Sequence, residues 1–161
     1  MNPDAILPAP FGRLGVRIDG ETLIGLEFLP PGTRLHAASN SFIKLVADQL
    51  DAYYADPKYR FSLALTPQGT AFRHKVWQAL AMIPAGNTLT YGDIARQLAS
   101  GPRAVGQAVG DNPIPIIIPC HRVIAAHRTL ADPNGLGGFM HSRTGYSQDI
   151  KHWLLRHEHI I

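Results

Sequence analysis

The sequence feature that most constrains the fold is an apolar run at residues 113–119, which begins and ends with proline and leads into Cys120. A run of isoleucine bounded by prolines is typical of a buried, extended segment rather than of a helix. We therefore expect the run to carry Cys120, the only cysteine of the chain, into the interior. A lone buried cysteine is most often a small hydrophobic side chain, but His121 places a titratable base directly beside this one.

The first part of the chain shows the patterns of a small sheet and one helix. Apolar residues alternate over residues 14–18 and 24–28 on either side of a predicted turn, which indicates a β-hairpin. Residues 40–54 carry apolar side chains at helical spacing, and residues 61–65 alternate as a further strand. None of these segments carries a group of residues typical of a chemical site.

The second part of the chain is predicted to form four helices. Thr70 is a predicted N-cap of the first, and Thr90 with Asp93 forms a predicted capping box for the second. Pro102 favours the first position of a third helix, and residues 147–157 predict a last one. A short glycine-containing turn joins the second and third helices, which is the layout of a helix-turn-helix.

These patterns predict two domains. An α/β N-terminal domain, a small sheet plus a helix, covers residues 1–66 and is followed by a mainly helical domain with a helix-turn-helix over residues 67–161. Hydrophobic residues make up 45% of the chain and charged residues 17%, which is enough apolar side chain for packed cores. No segment is long and apolar enough to predict a membrane span, so no membrane partner is expected.

The charge of the chain is compatible with nucleic-acid binding, and its cysteine content excludes disulfides and cysteine-rich metal sites. The formal net charge of +3 is compatible with a nucleic-acid partner without requiring one. A single cysteine excludes an internal disulfide and a cysteine-rich zinc site, and the eight histidines show no metal-ligand spacing, so we expect no metal. A free reactive thiol suits a reducing compartment, and we expect a cytoplasmic protein.

The third predicted helix is the candidate element for reading DNA. Arg103 lies in its first turn, which enters a groove in helix-turn-helix proteins. The small residues Ala104, Gly106 and Ala108 would let this helix approach a duplex closely. On the pattern alone an ordinary helical hairpin with a solvated arginine remains an alternative.

Glu158 is the candidate partner of His121. Ile150, Leu154 and Glu158 recur every four residues and therefore share one face of the last predicted helix. A carboxylate on an apolar face is costly unless it is paired, and pairing would hold the His121 imidazole as a base. A solvated acid at a frayed helix end is the alternative.

Taken together, the central motif resembles the active-site signature of the O6-alkylguanine-DNA alkyltransferases. The residues that carry the resemblance are Asn112-Pro113-Ile114-Pro115 and Ile118-Pro119-Cys120-His121-Arg122-Val123. The similarity extends over residues 69–158 and includes Tyr91, Arg103-Ala104-Val105-Gly106 and Trp153-Leu154-Leu155. Chance agreement over so long a motif with a Pro-Cys-His-Arg core is improbable.

The resemblance implies direct reversal of DNA damage without a cofactor or a metal. The protein would act as a monomer on double-stranded DNA carrying O6-alkylguanine, with O4-alkylthymine as a further substrate the family allows. Cys120 would accept the alkyl group irreversibly, so each molecule would react once. Glu158, His121 and a bridging water would form a relay to Cys120, and Asn112 would brace the turn and the thiol.

The resemblance also implies which residues meet DNA and which line the base pocket. Arg103 would take the place of an extruded nucleotide in a helix that enters the minor groove. Tyr91 would crowd the phosphate of the target and help to rotate it out, although a half-buried aromatic residue near a helix start is an equal alternative. The other implied DNA contacts are Thr70, Ala104, Gly106 and Arg122, and the implied pocket residues are Val109, Pro115, Phe139 and Met140.

One segment departs from the family pattern, and other functions remain to be weighed. Gly137-Gly138-Phe139 fits the start of the short glycine-rich family loop, but residues 131–146 are longer, which leaves the preference for methyl or bulky alkyl groups open. The alternatives are a non-catalytic DNA-binding relative, which would lack Cys120, a helix-turn-helix regulator with a structural thiol, and a cysteine hydrolase, which would turn over.

Overall fold

The computed structural model describes residues 2–37, 39–125 and 146–161, and the chain divides into two compact units, Met1–Gln68 and Gly69–Ile161. A small sheet with one helix forms the first unit, and helices dominate the second. This confirms the expected order of a small α/β part followed by a mainly helical part. No helix in the described part of the chain has both the length and the apolarity to cross a bilayer.

The first unit is a three-stranded antiparallel sheet and one helix. Strands β1 (Ala5–Ala9), β2 (Gly12–Asp19) and β3 (Thr22–Leu29) lie in the order β1-β2-β3. Helix α1 (Ser41–Ala55) begins after Asn40, whose side-chain oxygen accepts the backbone N–H groups of the first turn.

The predicted hairpin is confirmed, with one correction to its register. Leu14, Val16, Leu26 and Phe28 are buried as expected, but beyond them Leu23 faces the core and Ile24 does not. The register between β2 and β3 shifts between Arg17 and Ile18, and such a bulge moves the following side chains to the opposite face.

The strand predicted over residues 61–65 is wrong. A single parallel bridge joins Leu65 to Leu23, and the rest of this segment is held by a side chain. The Gln49 amide accepts the backbone N–H of Ser62 at 2.9 Å and donates to its hydroxyl at 3.0 Å. The backbone of the segment therefore bonds to helix α1 at Ser62 and to Leu23 of β3 on either side of Leu65, but it forms no continuous strand pairing.

The second unit follows the predicted helix signals closely. It contains α2 (Ala71–Ala81), β4 (Leu89–Thr90), α3 (Tyr91–Gln97), α4 (Pro102–Gly110), a 3-10 helix (Cys120–Arg122), β5 (Val123–Ile124) and α5 (Tyr146–His157). Thr70 caps α2, and Thr90 and Asp93 form the expected capping box of α3. Strands β4 and β5 pair in parallel.

The connection between α3 and α4 is a tight turn built on a left-handed alanine. Ala99 has φ 51°, and the N–H of Ser100 donates to the carbonyl of Ala95 at 2.9 Å while the N–H of Ala99 donates to Arg96. These two bonds form a Schellman motif, which favours glycine at the left-handed position. The two helices leave this turn packed against each other.

We predict that Ala99→Gly stabilises the protein by about 1 kcal/mol, because glycine removes the clash between Cβ and carbonyl that a left-handed alanine carries. The matched control is Ala79→Gly inside α2, which should lose about 1 kcal/mol through helix propensity. Urea unfolding of both variants measures the two changes. A less stable Ala99→Gly protein would contradict the left-handed geometry.

Candidate active site

The apolar run that leads to Cys120 is buried but not extended, which corrects the prediction of its backbone. Ile114, Ile116 and Ile118 expose 5% or less of their surface. The N–H of Ile118 donates to the carbonyl of Ile114 at 3.0 Å, and Ile116 has φ 75°. The run therefore folds back on itself as a turn, which we call the acceptor turn (residues 112–119).

Asn112 holds both ends of the acceptor turn. Its side chain is buried, its Nδ2 donates to the carbonyl of Ile118 at 2.8 Å, and its Oδ1 accepts the N–H of Ile114 at 3.0 Å. These bonds supply the polar partners that a buried turn needs in place of a strand neighbour. Asn112 also forms a hydrogen bond with the Cys120 side chain, so one amide serves the backbone and the thiol.

Cys120 opens the 3-10 helix and exposes only 3% of its surface. Burial raises the pKa of its thiol to about 11, against the lowering effects of the Asn112 hydrogen bond and of the positive charge of Lys151. The thiol therefore carries its proton at neutral pH. A reaction at this sulfur needs a base that removes the proton and a charge that stabilises the anion.

His121 and Glu158 form a fully buried pair, as the sequence predicted. His121 Nε2 lies 2.7 Å from Glu158 Oε2, and both side chains have no exposed surface. Burial by itself raises the pKa of Glu158, but hydrogen bonds from His121 and Arg122 and their charges bring it well below its usual range. An ionised carboxylate only accepts hydrogen bonds, so Nε2 carries the proton in this pair.

The other ring nitrogen of His121, Nδ1, carries a lone pair and no proton. Burial lowers the pKa of His121, an effect that the hydrogen bond to Glu158 opposes without reversing, so the ring is neutral at pH 7. Its Nδ1 is buried and has no hydrogen-bond partner among the described residues. A neutral imidazole with a free lone pair, one residue from a protonated thiol, has the properties of a general base.

Arg122 lies in this cluster, which argues against the DNA contact expected for it. Its Nε and Nη2 donate to the two oxygens of Glu158 at 2.7 and 3.0 Å, and its Nη1 donates to the carbonyl of Ile83 at 2.6 Å. The side chain is 12% exposed. A guanidinium held by three such bonds is not presented to a phosphate, and it serves instead to keep Glu158 charged.

Lys151 is the functional candidate that the sequence reading missed. It has no exposed surface, although it is a lysine on α5, and its Nζ donates to the carbonyl of Val123 at 3.0 Å. Burial lowers its pKa to about 8, and the only other cause is the charge of Cys120, which raises it. Its spacing from Leu154 and Leu155, three and four residues on, was the available signal, because those residues line the buried face.

Two side chains of α2 hold the end of α4 that leads into the acceptor turn. Trp77 Nε1 donates to the carbonyl of Ala108 at 2.9 Å, and Arg73 pairs with Asp111 at 2.7 Å. Ala108 is buried in this contact, so it does not belong to the surface that was expected to approach DNA. Asn112 follows Asp111 directly. The contacts that hold the end of α4 therefore also fix where the acceptor turn begins.

The residues expected to contact DNA lie at the starts of α2, α3 and α4. Arg103 and Ala104 are exposed on α4, Tyr91 is half-buried at the start of α3, and Gly106 faces it, since a Cβ placed there would lie 3.8 Å from Tyr91 Cδ1. Thr70 is exposed at the N-terminus of α2.

The predicted pocket residues are only partly within the described chain. Val109 and Pro115 are buried, whereas Phe139, Met140 and the long segment around them lie outside the described residues. Among the residues that are described, no three His, Cys, Asp or Glu side chains lie together in a way that could hold a metal ion.

The family model, the curated relatives and the solved structures similar to this chain all belong to one group of proteins. Residues 71–160 match the family model described as 6-O-methylguanine DNA methyltransferase, DNA binding domain. A methylated-DNA–protein-cysteine methyltransferase of Methanosarcina acetivorans is 37% identical over 96% of both chains, and one of Mycobacterium bovis is 41% identical over 82% of both. The crystal structure of Mycobacterium tuberculosis OGT in complex with DNA superposes with a TM-score of 0.76 at 39% identity, covering 95% of this chain and 90% of that one.

We predict that Glu158→Gln destabilises the protein by about 3 kcal/mol at pH 7, because Arg122 keeps a buried charge and loses its counterion. Glu27→Gln, in the exposed pair with Arg17, is the control and should change stability by less than about 1 kcal/mol. Urea unfolding at pH 7 compares the two variants. Equal effects would show that the buried cluster contributes no more than a surface pair.

The ionisation of Glu158 makes the free energy of unfolding depend on pH. Because the folded-state pKa of Glu158 is depressed, its stabilisation is present above its unfolded pKa of about 4.3 and is lost as the pH falls below that value. Unfolding free energies measured from pH 7 to pH 3 should therefore fall more steeply for the wild type than for Glu158→Gln. Parallel curves would contradict the depressed pKa.

Proposed function

Because the chain belongs to the 6-O-methylguanine DNA methyltransferase family, we propose that it repairs DNA by moving the alkyl group of O6-alkylguanine onto Cys120. The observation that carries this assignment is the sole cysteine buried beside the His121–Glu158 pair. The family membership supports the reaction, and the geometry supports the identity of the acceptor. O4-alkylthymine presents a similar O-alkyl group and is included as a further substrate.

In the proposed reaction, His121 is the base that frees the thiolate. A water bridging Cys120 and Nδ1 would pass the thiol proton to the ring, whose only other nitrogen is already committed to Glu158. The carboxylate fixes the ring and stabilises the imidazolium that forms. Arg122 keeps the carboxylate ionised throughout by its two hydrogen bonds.

The transfer itself exchanges one bond for another. The sulfur of Cys120 attacks the alkyl carbon, a carbon–sulfur bond forms, and the bond from that carbon to O6 breaks with its electron pair going to guanine. The guanine anion then takes up the proton held by the relay. Cys120 is left as a thioether, which has no ionisable proton and no route back, so each molecule reacts once.

The burial of Cys120 requires the damaged base to leave the helical stack. With 3% of the residue exposed, no atom paired inside a duplex can reach the sulfur. We propose that α3 and α4 act as a helix-turn-helix in which Arg103 fills the space of the flipped nucleotide. Tyr91 would press on its phosphate, and the exposed Ala104 and the adjacent Gly106 would permit close approach to the minor groove.

The position of Tyr91 supports a link between base extrusion and the acceptor. Tyr91 follows β4 directly, and β4 pairs with β5, whose residues Val123 and Ile124 follow the 3-10 helix that carries Cys120. The residue that would push the base out is therefore joined to the acceptor by hydrogen-bonded backbone.

We propose that the protein acts as a monomer in the cytoplasm, where a reducing environment keeps the thiol available.

We predict that incubation with a duplex containing O6-methylguanine adds one methyl group per chain, located on Cys120. Intact-mass and peptide mass spectrometry measure the product, with an undamaged duplex as the control. Cys120→Ser should take up no methyl group while its DNA binding stays within about twofold, because a hydroxyl is far harder to ionise than a thiol. Repeated release of methyl product from an unmodified protein would instead indicate a hydrolase.

We predict that Arg103→Ala and Tyr91→Ala slow repair of duplex DNA by at least about tenfold, the loss expected when about 1.4 kcal/mol of base-flipping assistance is removed. Reaction with free O6-benzylguanine should change by less than about threefold, since a free base needs no extrusion. Arg60→Ala, an exposed arginine in the first unit, is the matched control. Equal losses on both substrates would show that these residues support the site itself rather than extrusion.

A further inference from the structure

Two side chains of α2, one helical turn apart, hold two points near the end of α4. Arg73 Nη2 donates to Asp111 Oδ2 at 2.7 Å. Trp77 Nε1 donates to the carbonyl of Ala108 at 2.9 Å. Residues four apart lie on the same face of a helix, so both contacts come from one face of α2. One contact would fix only the distance between the helices, whereas two also fix the rotation of α4.

The charges of Arg73 and Asp111 oppose the dipoles of the helices that carry them. Arg73 lies in the first turn of α2, and Asp111 is the C-cap residue of α4. The helix dipole favours negative charge at the N-terminus and positive charge at the C-terminus. Each residue is therefore unfavourable in its own helix, and the ion pair between the two helices offsets both costs.

The ion pair is too exposed for stability to be its main contribution. The side chains of Arg73 and Asp111 are 39% and 22% exposed. Pairs that remain in contact with solvent contribute little to the free energy of unfolding. What the pair does provide is a fixed geometry at the end of α4.

The end of α4 is linked to the backbone of Cys120 through one carbonyl oxygen. Asn112, which follows Asp111, donates from Nδ2 to the carbonyl of Ile118 at 2.8 Å. The backbone N–H of Cys120 donates to the same carbonyl, also at 2.8 Å. Helix α2 packs against both α4 and the 3-10 helix that Cys120 opens. A change in the position of Asp111 relative to α2 therefore reaches the acceptor residue through two hydrogen bonds.

We propose that Arg73 and Asp111 are positioning residues for the alkyl transfer. Their ion pair sets the rotation of α4 that places Asn112, and Asn112 in turn places Cys120. This inference rests on the proposed alkyl transfer. Transfer rates depend steeply on the placement of the reacting atoms, so a pair that adds little stability has a large effect on rate.

Four variants test whether the two residues act as one unit. Arg73→Gln and Asp111→Asn each remove one charge of the pair, and the double variant removes both. A charge exchange, Arg73→Asp with Asp111→Arg, restores opposite charges in an order that agrees with both helix dipoles. Asp48→Asn, in the exposed pair with Lys44 on α1, is the matched control.

The rate of benzyl transfer to Cys120 is measured over a range of concentrations of free O6-benzylguanine. A free base needs no extrusion from a duplex, so the assay reports the acceptor site without any contribution from contacts to DNA. Urea unfolding of the same proteins measures their stability.

We expect each single variant to lower the maximal transfer rate by about tenfold. The O6-benzylguanine concentration that gives half this rate should change by less than about threefold, because the loss falls on the reaction and not on binding of the base. The double variant should be no slower than the single variants, and the charge exchange should return to within about threefold of the wild type. The urea midpoints of the single variants should shift by less than about 0.5 M. Asp48→Asn should leave the transfer rate unchanged.

Three results would overturn the proposal. Wild-type transfer rates in both single variants would show that the bonds of Asn112 hold the acceptor without the ion pair. Losses that multiply in the double variant, or that the charge exchange does not reduce, would show that the two residues act separately. A shift of the urea midpoint by about 1 M or more in the single variants would assign the pair to stability.

The wild-type protein separates this inference from the function on which it rests. Failure of the wild type to place the benzyl group on Cys120 would refute the proposed function, and the inference with it. A wild type that reacts beside variants that react equally well would refute the positioning role alone.

Discussion

The charge pairing of Glu158 with Arg122 and His121 is the interaction on which the second unit depends. One carboxylate accepts three hydrogen bonds of 2.7 to 3.0 Å, and the arginine that supplies two of them also binds the carbonyl of Ile83 beyond α2. The cluster thereby ties together α2, α5 and the 3-10 helix. Buried charges of this kind are tolerated only when each one is matched in charge and geometry.

The same cluster fixes the chemical state of the site before any substrate arrives. An ionised Glu158 determines which nitrogen of His121 carries a proton and which keeps a lone pair. Asn112 likewise fixes the position of Cys120, because its amide closes the acceptor turn and bonds to the thiol. The reactive sulfur is therefore positioned by side chains whose own hydrogen bonds leave them little freedom to move.

Local signals predicted much of this architecture, and tertiary contacts account for the errors. The caps at Asn40, Thr70 and Thr90 act within a few residues of sequence, and the helices they begin were placed correctly. An apolar run bounded by prolines predicts a buried, extended segment, and burial alone does not distinguish such a segment from the acceptor turn. The bonds of Asn112 that close the turn are made by one side chain to backbone groups two and six residues away. The burial of Arg122 and Lys151 is not predicted from the sequence, because cations are expected at the surface and only the folded structure shows their buried partners.

The burial of Cys120 has a consequence for chemical selectivity. A thiol that is nearly inaccessible, and whose pKa is raised to about 11, is a poor target for small electrophiles and oxidants dissolved in the surrounding water. A protein that can react only once would be wasted by any such encounter. Burial therefore limits reaction at Cys120 to a reagent that can reach the buried sulfur, beside the His121–Glu158 pair.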